Sequence, residues 1–217
     1  MRILFTGFTP FGGESVNPAW MAVSDLPKEY DGNQIYTLEI PTEFEKGYLA
    51  IREFLKNQTV DAVICVGQAG GRAKISVEKV ALNYMDGSIP DNGGYMPRRM
   101  PIAEDGSDGY FSTIPVEDIV EHLKECKIPA NVSLTAGSYV CNDTLYRLLY
   151  NFKKENLAIK AGFIHVPYAP EQVLDKQSVV PCMELSTISN NAFVIVESSI
   201  QGTTLCLSKT CSGAYGT

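Results

Sequence analysis

Residues 60–67 read VDAVICVG, an apolar run interrupted only by Asp61 and ending at a glycine-rich turn signal. Such a run is expected of a strand covered on both faces, the situation of strands in a largely parallel sheet packed between helices. ILFT at 3–6 and AGFIHV, which ends at Val166, repeat the pattern. Between these runs apolar residues recur at helical spacing. The alternation predicts a single α/β domain, a three-layer α/β/α sandwich on a mainly parallel, mixed central sheet. Its expected extent is residues 1–200, and 201–217 form a small, polar C-terminal tail expected to be poorly ordered.

Local signals place the elements. Asn17-Pro18 supplies a cap and a first-turn proline for a helix over 19–26. A strand is expected at 34–40. Thr42 with Glu45 three residues on has the form of a capping box, which predicts a helix from Thr42 to about Lys56 with Tyr48, Ile51 and Leu55 as its buried stripe. After the strand at 60–67 comes the strand-like ISVEKVALN. A long Gly/Pro/Asp-rich passage then runs to about Pro115, and a loop of that length in a compact domain is functional, oligomer-forming or disordered. Further helices are expected over 116–126, from Cys141 onward and near 180–199, with strands around 132–134 and through His165.

Composition narrows the classes of function. An apolar share of 45% and a charged share of 20% are ordinary for a globular chain. The net charge is −7, and no basic cluster exceeds Arg98-Arg99. Nucleic acid and anionic membrane surfaces are therefore poor partners, since both need concentrated Lys and Arg. No segment approaches the roughly 20 apolar residues of a membrane span. MRILFTGF reads as a first core strand rather than a signal peptide, which points to the cytoplasm. Six cysteines (Cys65, Cys126, Cys141, Cys182, Cys206 and Cys211) are dispersed without CxxC pairs. They read as free thiols, and zinc-ligand spacing is missing.

The stretch TAGSYVCNDTLYRLLYNF at 135–152 places Cys141 where a small-residue turn becomes an amphipathic helix. A thiol in a first helical turn lies near unpaired N–H groups and the positive end of the macrodipole, which favour the nucleophilic thiolate. The chain has only two histidines. His165 stands at the carboxyl end of an expected strand, where catalytic groups gather in α/β sheets. His122 sits among charges on a helix and is expected to be solvated. Cys141 and His165 together suggest a Cys–His hydrolase. Many carboxylates are candidates for the third group that orients the imidazole. Asp143 falls roughly 200° around the helix from Cys141 and points away. Glu78 needs a partner if buried; on the residues alone, an exposed position paired with Lys79 or another base is the favoured account. Cys65, inside VICVG, fits a buried core thiol.

GFTPFGG at 7–13 lacks both the Walker ending and GxGxxG spacing, so nucleotide binding is rejected. Its Phe8 and Phe11 read as exposed-loop aromatics able to wall a small apolar pocket. GQAGGR at 67–72 offers backbone N–H groups and the Gln68 amide, or is simply a tight turn.

The ordered set GFTPFGG, NPAW, PTEF, VGQAGGR, SVEKVALN, IPDN, YFSTIP, TAGSYVCN and GFIHVPYAPEQ resembles the pyroglutamyl peptidase I (pyrrolidone-carboxylate peptidase) family over about residues 1–172. The resemblance implies a cytosolic cysteine peptidase that removes N-terminal pyroglutamate from peptides, with no cofactor or metal and commonly a homotetramer. By motif position it implies Cys141 as nucleophile, His165 as general base and Glu78 as orienting acid. It also implies a pyroglutamyl pocket with Phe8, Phe11, Gln68 and Tyr139, the last replacing the family's usual Phe. One departure stands out: an arginine of the family's IPDN motif is Ser88 here. Arg72, Arg98, Arg99 or the backbone N–H groups at Cys141 are the candidates to replace it. Two alternatives follow. An impaired homologue that binds pyroglutamyl-like ligands is motivated by Ser88 and Tyr139. A nucleoside-phosphorylase-like enzyme would share the architecture but needs clustered basic groups that the chain does not show.

Overall fold

The structure, a computed structural model, describes residues 1–189. The apolar runs form a seven-stranded sheet in the order β2 (Glu29–Tyr30), β3 (Asn33–Ile40), β1 (Arg2–Phe8), β4 (Ala62–Gln68), β9 (Lys160–Val166), β5 (Ile75–Glu78) and β8 (Ala130–Ser133). Strands β3, β1, β4 and β9 pair in parallel. β5 runs antiparallel to β9 but parallel to β8, and β2 is antiparallel to β3. Every residue of β4 is buried, as its unbroken apolar run requires at the middle of a covered sheet.

The two faces carry separate cores. Helices α1 (Pro18–Ser24) and α3 (Val116–Glu125) pack over Ile3, Phe5, Ile64 and Ile164. Helices α2 (Lys46–Asn57) and α4 (Val140–Lys154) pack over Leu4, Val63, Cys65 and Phe163. This is the expected α/β/α sandwich on a mixed, mainly parallel sheet.

α1 opens as its sequence predicts: the Asn17 side chain accepts from the Ala19 N–H at 3.0 Å, and Pro18 fills the first turn. It ends at Ser24, short of residue 26. The capping box at Thr42 is not formed, and α2 begins only at Lys46. Thr42 is buried, its hydroxyl donating to the Thr9 carbonyl at 2.7 Å and its N–H to Thr9 Oγ1 at 3.0 Å. Glu45 takes φ 64°, and its N–H donates to Asp143 Oδ2 at 2.8 Å. A carboxylate from α4 thus does the work expected of Thr42. Tyr48 and Ile51 are buried and Leu55 packs against the same core while partly exposed.

β8 lies at Ala130–Ser133 rather than 132–134. The passage after β5 is more structured than a loop. Its β6 (Val80–Leu82) pairs antiparallel with β7 (Gly109–Phe111), and Met85 bridges Met100. Asn142 of α4, fully buried, fastens the start of this passage: its Oδ1 accepts from the Leu82 N–H, and its Nδ2 donates to the Leu82 and Tyr84 carbonyls, all at 2.9 Å. Residues 185–189 are helical. The helix expected from about residue 180 thus begins only at 185, Cys182 instead bridging Tyr168; residues 190–199 of that expectation, and the tail 201–217 with Cys206 and Cys211, lie outside the described residues. Among the described residues Cys65, Cys141 and Cys182 are free thiols, and no helix is long and apolar enough to cross a membrane.

Asn17→Ala removes the α1 cap and the Asn17 Nδ2 bond to the Thr9 carbonyl at 3.3 Å. Urea unfolding should show a loss of about 1–2 kcal/mol at unchanged m-value. A midpoint equal to wild type would contradict the capping role.

Candidate active site

Side-chain alternation on three neighbouring strands builds the floor of the site. Cys65 and Phe163 lie in the core beneath α4, and β4 pairs Cys65 with Phe163 and Gly67 with His165. β5 pairs Glu78 with Phe163 and Ser76 with His165. His165, Glu78 and Gly67 therefore share the face that α4 covers.

His165 Nδ1 lies 2.7 Å from Glu78 Oε1, both residues buried. An ionised carboxylate only accepts, so Nδ1 donates and Nε2 is left as the ring's acceptor. The Phe163 ring braces the imidazole, with centroids 4.7 Å apart. Arg72 Nη1 donates to the same Glu78 Oε1 at 2.6 Å, while the buried Oε2 has no hydrogen-bond partner. Glu78 is thus a buried member of an ion-pair network, not the exposed position that its residue context favours.

Cys141 is the second residue of α4, whose N-cap, Tyr139, makes no side-chain capping bond. The first-turn N–H groups are thereby left facing the region of the thiol. Gly67 sets how closely that thiol approaches the sheet. A Cβ there would lie 3.2 Å from Cys141 Sγ and 2.7 Å from Phe163 Cζ. The thiol consequently rests on the residue of β4 that is in register with His165. Among the described residues no hydrogen bond joins Sγ to the imidazole; Gly67 is their shared neighbour. By sequence Gly67 reads as the start of a donor-bearing or tight turn, although a glycine at the end of an apolar strand also signals such a close approach.

Protonation follows from burial. Burial pushes the Cys141 thiol up to about 12, reinforced by the negative charge of Glu78 and by Cys65, against the opposing pull of Arg72 and the backbone N–H. This burial works against the thiolate that the helix N-terminus favours. Burial also holds the His165 imidazole below its ordinary value, although the hydrogen bond and charge of Glu78 oppose this. Burial works to raise Glu78, but its bond to His165, the His165 charge, the Ser133 hydroxyl and Arg72 together keep it below the usual carboxylate range. The three shifts together favour a neutral thiol, a neutral imidazole and an ionised carboxylate.

The aromatic residues divide. Phe8 is the last residue of β1 and is buried with its ring 5.9 Å from Phe163, so it belongs to the core and not to an exposed loop. Phe11 is half-buried and lies 6.2 Å from Tyr139, and Phe44 meets Tyr139 edge-on at 5.3 Å. Phe44, within the PTEF motif, was not singled out by sequence. The hydroxyl that Tyr139 adds finds a partner in the Pro90 carbonyl at 3.0 Å. Gln68 is buried, and Gln172 Nε2 donates to its Oε1 at 3.0 Å. Gln172 Oε1 itself accepts from the Ala169 N–H at 3.0 Å, which fixes its amide orientation. Gln68 therefore keeps its own NH2 as an uncommitted donor.

Ser88 is exposed and makes no hydrogen bond among the described residues. Of the arginines considered to replace its missing guanidinium, Arg72 reaches the site but is held by Glu78, and Arg98 pairs with Asp86 at 3.6 Å. Asp143 points away from the thiol as expected, accepting from Arg147 Nε at 2.9 Å and from Glu45. His122 lies on α3, in the opposite layer from Cys141. Among the described residues no group of three or more His, Cys, Asp or Glu side chains is arranged to hold a metal ion.

The pyroglutamyl peptidase family model matches residues 1–202. The pyrrolidone-carboxylate peptidase of Thermosipho africanus is 50% identical over 188 residues, covering 87% of this chain and 91% of its own length. The crystal structure of pyroglutamyl peptidase I from Bacillus amyloliquefaciens superposes with a TM-score of 0.87 at 41% identity, covering 91% of this chain and 96% of that one. A mutant pyrrolidone carboxyl peptidase from Pyrococcus furiosus superposes at 0.90 with 36% identity, covering 94% and 100%. These matches displace the nucleoside-phosphorylase-like alternative.

Gly67→Ala adds a methyl group against Phe163 and Cys141 Sγ. It should cost about 1–3 kcal/mol in urea unfolding, by overpacking. Alkylation of Cys141 by iodoacetamide should change, while that of exposed Cys182 stays at the wild-type rate. Unchanged stability and unchanged Cys141 alkylation would contradict the close approach.

Proposed function

This chain belongs to the pyroglutamyl peptidase family, enzymes that remove N-terminal pyroglutamate, and on that premise we propose that it works as a cysteine exopeptidase through Cys141, His165 and Glu78. The observation that carries the reading is the His165 Nδ1–Glu78 Oε1 bond at 2.7 Å beside a thiol seated over Gly67. Nε2 takes the proton from Sγ as sulfur attacks the carbonyl carbon that joins pyroglutamate to the next residue. A neutral resting thiol makes this a coupled proton transfer and not the release of a preformed thiolate. The resulting oxyanion is met by first-turn N–H groups of α4. His165 returns the proton to the leaving amine, the C–N bond breaks, and a thioester remains. Water, losing a proton to Nε2, attacks the thioester and releases pyroglutamate; sulfur leaves and is reprotonated. Glu78 holds the imidazolium that forms at each transfer.

Pyroglutamyl peptides are neutral at the end that is recognised, and the proposed pocket is neutral to match. Phe11 and Tyr139 face the ring, Phe8 backs the site from the core, and the free NH2 of Gln68 donates to the lactam carbonyl. A free glutamate or an ordinary amino terminus would leave its charge unsolvated there. The chemistry calls for no cofactor. The dispersed cysteines, without CxxC pairs, and the family resemblance support a cytoplasmic setting. Exposed Leu82, Tyr84, Ile89, Tyr95, Met96 and Met100 support a homo-oligomer, a tetramer by family resemblance, with the middle segment as its contact.

Ser88 motivates the second reading, an impaired homologue. It is separated from the first by hydrolysis of a fluorogenic pyroglutamyl amide. Wild type should turn over, Cys141→Ala should not, and Ser88→Arg should change kcat/KM by less than about tenfold because backbone donors already serve the oxyanion. An inert wild type rescued by Ser88→Arg would establish the impaired reading. Turnover surviving in Cys141→Ala would sink the mechanism.

The pH profile follows from burial of His165. The imidazole must be neutral to accept the proton, and its value lies below the ordinary 6.5. Activity is thus retained down through pH 6.5 and lost as pH falls through the lowered value. Glu78 raises His165, so Glu78→Gln should move this acid limb to still lower pH while reducing the plateau about 10²–10⁴-fold. A limb that moves upward in Glu78→Gln would contradict the assignment.

A further inference from the structure

Glu78 is fully buried, and both of its charge-assisted contacts converge on one oxygen. Its other oxygen is buried without a partner. A carboxylate so placed is costly unless a permanent cation offsets it. His165 is not that cation, because burial keeps it neutral at rest. Arg72 is, since a guanidinium stays protonated throughout the working range.

Its placement is built by the turn that follows β4. Gly71 takes φ +87°, and the Arg72 N–H donates to the Ala69 carbonyl at 3.3 Å, which folds the chain back toward β5. From there the guanidinium spans three segments. Nη1 donates to Glu78 Oε1 at 2.6 Å and approaches Ser133 Oγ at 3.4 Å; Nη2 donates to the Thr135 carbonyl at 3.1 Å. Thr135 opens the short loop that ends at Tyr139, the N-cap of the Cys141 helix. One side chain therefore ties the end of β4, the orienting acid and the approach to the nucleophile.

We propose that Arg72 is a positioning residue of the reaction, keeping Glu78 ionised and aimed at His165 while bracing the loop that presents Cys141. The proposal rests on the Cys141–His165–Glu78 assignment. It also explains why Arg72 does not replace the arginine missing at Ser88: its donors are committed to the acid and the loop.

The sign of its effect on pH is defined. The groups acting on His165 are Glu78 from β5 and Arg72 from the turn; Cys141 of α4 lies over Gly67, the β4 residue in register with His165, Cys65 is two residues back on β4, and Lys79 is turned to Glu117 at 2.8 Å. Arg72 lowers His165, so its removal lets the imidazole protonate at higher pH. It also lowers Glu78, so its removal lets the buried acid protonate at higher pH. Both changes move the acid limb of kcat/KM upward, opposite to the shift expected for Glu78→Gln.

The test is the pH–rate profile of pyroglutamyl amide hydrolysis by Arg72→Met, Arg72→Lys, Glu78→Gln and the Arg72→Met/Glu78→Gln double variant, with Cys141→Ala as control. Arg72→Met should lower kcat about 10–100-fold with KM within about threefold, and raise the acid limb. Arg72→Lys, which keeps the charge but loses the fork, should restore the limb and part of kcat. In the Glu78→Gln background, Arg72→Met should add less than about a threefold loss, because the two act as a unit. An unmoved acid limb in Arg72→Met, or losses that multiply independently in the double variant, would overturn the proposal. If Arg72→Met fails to fold, the Arg72→Lys profile decides: a wild-type limb with reduced kcat supports the role, and a wild-type kcat overturns it. Turnover by Cys141→Ala, or a wild-type rate in Glu78→Gln, would instead refute the underlying assignment.

Discussion

Burying an ionised carboxylate under a sheet costs several kcal/mol unless its charge is met at short range, and around Glu78 the site is arranged to meet it. Oε1 receives His165 at 2.7 Å and Arg72 at 2.6 Å. The reversed direction of β5 makes this geometry possible. Running antiparallel to β9, it sets Glu78 opposite Phe163 and Ser76 opposite His165. The carboxylate thus lies one strand step deeper in the sheet than the imidazole and holds it diagonally from within. Nδ1 is drawn inward, and Nε2 is left on the side away from Glu78. A fully parallel sheet would carry the end of β5 toward the same edge as His165.

The thiol is fitted to this arrangement by a missing side chain. Gly67 pairs with His165, and only a glycine there lets Cys141 Sγ and the Phe163 ring come so close to β4. Burial then raises the thiol, against the pull of Arg72 and the backbone N–H. In the proposed mechanism, activation and attack are joined in one step at His165. The environment that raises the thiol also lowers the imidazole, so the two remain neutral together until substrate arrives.

Features decided within a few residues were legible in the sequence. The buried β4 and β9 runs, the Asn17 cap, the Cys141 helix start and the strand-end position of His165 all follow from local patterning and recur in the structure. Features decided across the fold were not. Thr42 has the right neighbours for a capping box, yet it is claimed by Thr9, and Asp143, distant in sequence, meets Glu45. Phe8 resembles a loop aromatic in a glycine-rich stretch, but β1 runs two residues past Thr6 and takes it into the core. Glu78 looked like a surface charge because its partners come from β9 and the Gly70-Gly71 turn, and only family resemblance singled it out. The long middle passage was read as loop because its fastenings come from distant segments: Asn142 of α4 holds Leu82 and Tyr84, Tyr139 holds Pro90, and Phe44 and Pro10 hold Asp91 and Asn92.

The central claim is that His165 waits with Nδ1 protonated toward Glu78 and Nε2 bare. With two histidines in the chain, ¹⁵N NMR of histidine-labelled protein reads this state directly. At neutral pH one imidazole should show the neutral Nδ1–H tautomer, with a hydrogen-bonded Nδ1 proton that disappears in Glu78→Gln. An Nε2–H tautomer for His165, or an imidazolium at neutral pH, would contradict it.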